Sequence, residues 1–160
     1  MGTYKLLLDD DFGYDFLLIA IHTSLEAYHI AFLLNKNLGL QLARMPQDLV
    51  LTKEEYKVDF SLYEYENPRD YVNYHLFNNR AQTELKDVEQ GLFFNENGVV
   101  VSDLLVSDLP QVDFFLKIND EGNAFAKAKI LKQINSIPQI VTAYNVDINQ
   151  LKTKQNLIFE

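Results

Sequence analysis

The chain has no cysteine and no tryptophan, and its 160 residues include only four prolines and six glycines. Without thiols there is no disulfide framework, thiolate nucleophile or sulfur-ligated metal, and the composition fits a reducing compartment, here the cytoplasm. So few prolines and glycines leave no linker that would divide the chain, and residues 1–160 are expected to form one domain, long enough to bury a core without covalent staples. Positive charge is scarce as well, with 14 Lys and Arg against 23 Asp and Glu and a net charge of −9. Such a field repels phosphate backbones, so nucleic acid is not an expected partner. Long apolar runs are missing too. The longest, Phe16 to Ile21, is too short for a bilayer, the aspartates before it do not suit a signal peptide, and Leu6 stands where N-myristoylation needs Ser or Thr. No membrane association is expected.

Motifs that carry chemistry are equally thin. There is no Gly-x-Ser-x-Gly elbow, no phosphate-binding glycine loop and no EF-hand spacing. Asp9, Asp10 and Asp11 project in different directions and suit the positive end of a helix better than a cation. His22 and His29, seven residues apart, lack a third ligand in register, and the helix start at Thr23 separates them. His75 lies beside Tyr74 in a strand, where a hydrogen bond to a neighbour is its ordinary fate. No metal, no cofactor and no catalytic residue is expected.

What is present is apolar and aromatic side chains, 48% and 12% of the residues, in patterns that alternate between helix and strand periods. Tyr4 to Leu8 reads as a strand and Tyr14 to Ile21 as a short helix. Thr23 to Glu26 forms a capping box that starts a second helix, running to about Asn37 and stopped by Gly39, with apolar residues on nearly every side. From Tyr56 the period becomes two, and a tyrosine-rich hairpin turns at Asn67-Pro68-Arg69-Asp70 and returns over Tyr71 to Phe77. Arg80 to Gln90 is polar and reads as a loop. A smaller hairpin over Leu92 to Phe94 and Val99 to Val101 turns at Asn97-Gly98. Val112 to Ile118 (strand), Ala124 to Ser136 (helix) and Gln139 to Val146 (strand) have the size of a βαβ unit. The fold class is therefore α+β: an antiparallel or mixed sheet with helices packed on it and a C-terminal βαβ unit, as in ferredoxin-like or ACT-like sandwiches.

Val106 to Phe114 reads Val-Ser-Asp-Leu-Pro-Gln-Val-Asp-Phe. Val106 and Asp108 stand for Ile and Glu, Ser107 replaces a proline, and Val112, Asp113 and Phe114 complete a pattern that resembles the signature of the IPExxxVDY family of small bacterial proteins. The acidic run after the first strand, the Asn35 to Leu40 helix ending, the aromatic hairpin and the Lys152 to Phe159 tail are similar to that family too. The resemblance implies no substrate, cofactor or catalytic residue, because the family has no established activity. From the residues themselves, Asp113 is suited to accept backbone N–H bonds where an irregular segment becomes a strand.

One candidate ligand site emerges, the loop containing Asn119, Asp120, Gly122 and Asn123 between a strand and a helix N-terminus, where free amides could receive a carboxylate or phosphate. The alternative is a capping turn satisfied by Asp120 or Asn123. The functional expectation is a non-enzymatic cytosolic interaction or regulatory module whose partner is a second copy or another protein. Two alternatives are a small-ligand-sensing ACT-like domain and an enzyme whose site is assembled from scattered carboxylates, tyrosines and His75.

Overall fold

A computed structural model describes residues 16–85, 99–120 and 127–159. The fold is α+β, and its centre is a six-stranded sheet in the order β10-β1-β9-β6-β5-β2 in which every neighbouring pair is antiparallel. The strands of this sheet are β1 (Leu17–His22), β2 (Ala43–Arg44), β5 (Leu62–Asn67), β6 (Val72–Asn78), β9 (Phe114–Asn119) and β10 (Thr142–Asn145). Two further ribbons pair β3 (Leu49–Thr52) with β4 (Lys57–Phe60), and β7 (Arg80–Leu85) with β8 (Val99–Leu104). The described helices are α1 (Ala27–Leu38) and α2 (Lys127–Asn135), and neither is long and apolar enough to cross a membrane.

Each face of the sheet carries its own core. On one face, Ile30 and Leu34 of α1 and Ile130 and Ile134 of α2 pack on Ile19, Ile21, Leu76 and Leu116. On the other, Val58 and Phe60 of β4, Leu105 to Val112 and the chain end near Leu157 pack on Leu18, Ala20, Phe77 and Phe115. A sheet covered on both sides wants apolar residues at consecutive positions, because successive side chains point to opposite faces. This explains why residues 17–21, expected in a helix from Tyr14 to Ile21, form a strand, positions 14 and 15 lying outside the described residues. The run Leu18-Ile19-Ala20-Ile21 is fully buried in the strand β1, not in a helix; burial on both faces removes the alternation that marks a half-buried strand.

Other boundaries shift for identifiable reasons. The helix α1 starts at Ala27 rather than Thr23, with Glu26 at its N-cap making no side-chain cap bond. Thr23 is engaged elsewhere, its hydroxyl donating to the carbonyl of Gln139 at 2.9 Å. The helix is not buried all round: Ile30, Ala31, Leu33 and Leu34 face the core, whereas Tyr28 and Phe32 are exposed. The expected stop at Gly39 is observed, with φ at +70° and its N–H donating to Asn35 O at 3.0 Å. Among the described residues nothing lies near the space a Cβ would occupy there, so Gly39→Ala tests the backbone. It is expected to destabilise by roughly 1 kcal/mol, seen as a lower urea midpoint at unchanged slope.

The tyrosine hairpin turns where expected, with Asn67 Oδ1 accepting from Arg69 N at 3.0 Å, but its outgoing arm is broken. Residues 57–60 belong to the β3–β4 ribbon and 62–67 to the main sheet, with Ser61 between them. Residues 80–85 are a strand, not a loop. In β7 the alternating Ala81, Thr83 and Leu85 face inward and the polar residues outward, as in a ribbon with one wet face. Its partner β8 is the strand expected from Val99 onward; residues 86–98, which include the expected Asn97-Gly98 turn, lie outside the described residues. The first expected strand, Tyr4 to Leu8, and the Asp9 to Asp11 run lie outside them as well. The unit β9–α2–β10 has the expected order, but β1 is inserted between its two strands and pairs antiparallel with both.

Candidate functional site

Three ionisable residues form a row across the second face. Register places Glu64 of β5 opposite His75 of β6, and His75 opposite Lys117 of β9. Their neighbours on that face are Leu62, Phe77 and Phe115, all buried. The His75 Nε2 and Glu64 Oε2 atoms are 3.0 Å apart, with 17% and 24% of the two side chains exposed. Burial lowers the His75 pKa, the Glu64 carboxylate opposes the shift, and the nearby Lys117 charge adds to it. The imidazole is therefore neutral at pH 7, with Nε2–H directed at Glu64 and Nδ1 left as the acceptor. Nδ1 is buried and has no hydrogen-bond partner among the described residues.

Lys117 is 7% exposed, and burial depresses its ammonium to a pKa of about 8. Its Nζ donates to Leu157 O at 2.7 Å and lies 4.2 Å and 4.5 Å from the ring centres of Phe159 and Phe16. Such a cage of carbonyl and π faces replaces part of the lost hydration. The chain end thus roofs the row. Phe159 meets His75 and Phe77 edge-on, with centroids 5.3 and 5.2 Å apart. The roof is tied down by Asp108, whose carboxylate accepts from Lys152 N at 2.8 Å and from Thr153 N and Oγ1 at 3.2 and 2.7 Å. Those donors hold the Asp108 pKa below its ordinary value.

Between this roof and the β3 ribbon opens a cleft of about 530 Å³. Asp48, Glu64 and His75 supply its ionisable groups; Leu49, Leu51 and Leu62 are among its apolar ones. A second cleft, about 320 Å³, lies at the start of α1 beside Thr23, Arg80 and Asp113. Its polar groups already hold the fold together, Arg80 donating to Pro110 O at 2.8 Å and Asp113 accepting from Thr23 N at 2.9 Å.

Of the expected loop site, Asn119 and Asp120 line neither cleft. Asn119 ends β9 opposite Asn73, Asp120 follows it, and Gly122 and Asn123 lie outside the described residues. The histidines are dispersed: His22 Nε2 is 3.0 Å from Tyr144 Oη, and His29 stacks on Tyr28 with centroids 6.2 Å apart. Among the described residues, no group of three or more His, Asp and Glu side chains could hold a metal ion.

The segment that resembles the family signature is a structural knot. Asn79, fully buried, donates from Nδ2 to the carbonyls of Leu109 and Val112 and accepts at Oδ1 from Val106 N at 2.7 Å. Its backbone N–H reaches Asp113 O at 2.9 Å, and Leu105 N reaches its carbonyl at 2.9 Å. Asp113 accepts a backbone N–H at the start of β9, as its place in the sequence suggested. Compared with protein-family models, curated proteins and solved structures, the chain matches none.

Proposed function

We propose that the protein is a non-enzymatic interaction module of the cytoplasm that pairs with a second copy of itself through the outer face of α1. The observation that carries this is the exposure of two large aromatic side chains one helical turn apart, Tyr28 at 68% and Phe32 at 59%. They lie opposite the buried Ile30 and Leu34, where a helix on a sheet ordinarily presents polar residues. A two-fold axis through this face would set each pair against its counterpart, a self-complementary arrangement requiring no charge matching between two acidic chains.

Two further features support the module over the enzyme. The strand order β10-β1-β9-β6, with α1 and α2 packed in one core, supports reading the sheet as a ferredoxin-like sandwich, a scaffold on which ACT-like regulatory modules are also built. The segment from Val106 to Phe114 is occupied with holding the fold, so kinship with the IPExxxVDY family, which we keep as part of the proposal, would rest on a stabilising knot and bring no reactive group.

Light scattering on a size-exclusion column is expected to give about twice the 18.5 kDa chain mass at micromolar concentration. Phe32→Glu is expected to return it to the monomer mass while changing stability by no more than about 0.5 kcal/mol, as for an exposed position. A wild-type protein that runs at the monomer mass at every concentration removes the pairing.

A further inference from the structure

We infer that the cleft under the C-terminal segment is a binding site for a small organic cation, an amine or amidine on a short apolar body. Its volume, about 530 Å³, falls within the roughly 300–1,000 Å³ of small-molecule pockets. Its lining is asymmetric in charge. Asp48 and Glu64 contribute carboxylates and His75 an imidazole, and neither Lys nor Arg is among the described lining residues.

The two carboxylates differ in how far they are satisfied. Asp48 is paired with Arg44 at 2.6 Å, so much of its charge is answered. Among the described residues Glu64 is partnered only by the Nε2–H of the His75 imidazole, and no cation pairs with it on a wall where both side chains are more than three-quarters buried. The cation nearest in register, Lys117, is on the far side of His75 with its ammonium engaged by Leu157 O. A carboxylate in such a place gains more from a cation than an exposed one does, because water screens it less. Two acidic side chains, one already paired, are too few oxygens for Ca²⁺ or Mg²⁺, which favours an organic cation over a metal. The apolar floor of Leu49, Leu51 and Leu62 then takes the body of the ligand, and an anion finds no compensating positive group among the described lining residues.

The test is titration calorimetry of the full chain with benzamidine and tyramine, against benzyl alcohol and benzoate as neutral and anionic counterparts of similar size. It is followed in parallel by the imidazole NMR resonances of the three histidines. Saturable binding of the cations is expected, with shifts at His75 and not at His29, and Glu64→Gln is expected to weaken it at least ~10-fold. Asp48→Asn, at a more exposed position, is expected to weaken it by a smaller factor, and serves should Glu64→Gln fail to fold. Equal binding of benzyl alcohol or benzoate would overturn the assignment, as would cation binding unchanged in both variants. So would the lack of saturation by either cation up to about 10 mM, including the case in which only a lysine-rich peptide binds.

Discussion

Asn79→Ala is expected to destabilise the fold by on the order of 3–5 kcal/mol, a large part of the roughly 5–15 kcal/mol that holds an ordinary domain together. The alanine removes the three side-chain hydrogen bonds to Val106 N, Leu109 O and Val112 O, and those backbone groups sit where water does not easily replace the lost partner. Leu109 O keeps the N–H of Val112 at 3.2 Å, so among the described residues Val106 N and Val112 O are the groups left unsatisfied, at about 1–3 kcal/mol each, and the lost bond to Leu109 O adds to this. The damage would spread along the segment, because residues 105–113 form part of the second core and carry Asp108, which ties down the roof. Asn79→Asp should rescue little. It keeps an acceptor for Val106 N but sets a carboxylate oxygen against two carbonyls. Urea unfolding followed by circular dichroism measures both variants; an alanine variant within about 1 kcal/mol of wild type would show that the knot is not a major source of stability.

This hub illustrates what sequence can and cannot display. Asp113 could be assigned its role in advance because an Asp at the start of an alternating run has a local job, and Gly39 because a left-handed helix stop is a local requirement. Asn79 bonds to residues 27 to 33 positions away, and no periodicity carries that information. The row of ionisable residues was half legible. Once the turn at Asn67 to Asp70 is placed, hairpin register sets Glu64 opposite His75. The third member needed the knowledge that β9 pairs with β6 instead of lying beside β10, a matter of strand order on which composition and spacing are silent. The cleft needed more still, since its roof is a tail segment with no regular period. Two of the missed strands share one cause: β1 was hidden by burial on both faces and β7 by Ala81 and Thr83 on its inward face, so each departs from the strong alternation of a half-buried strand.

Lys117 offers a prediction whose sign and pH window are both fixed by its environment. Its ordinary pKa of 10.5 falls to about 8 in the native fold, because the ammonium exchanges water for Leu157 O and two phenyl rings. Below pH 8 both native and unfolded chains are protonated, and the native state bears the full cost of the buried charge. Between about 8 and 10.5 the unfolded chain holds a proton that the native chain has released, so this residue makes stability rise with pH across that window. At roughly 1.4 kcal/mol per unit of pKa difference, the rise amounts to about 3 kcal/mol.

Other lysines and the tyrosines also titrate there, so the measurable quantity is the difference between wild type and Lys117→Met. The methionine is expected to be more stable than wild type at pH 7, by on the order of 1–3 kcal/mol, since an apolar replacement of a buried charge needs no compensation. The gap should close by about pH 10, where the neutral amine still donates to Leu157 O without the charge penalty. A gap of constant size from pH 7 to 10 would show that the ammonium is not strained by burial. The same variant has a second consequence, one that a purely packing effect would not produce. The Lys117 charge helps to hold the His75 pKa down, so its removal should raise the midpoint at which the imidazole resonance of His75 titrates. His29, stacked on Tyr28 in α1, supplies the internal control and should not move.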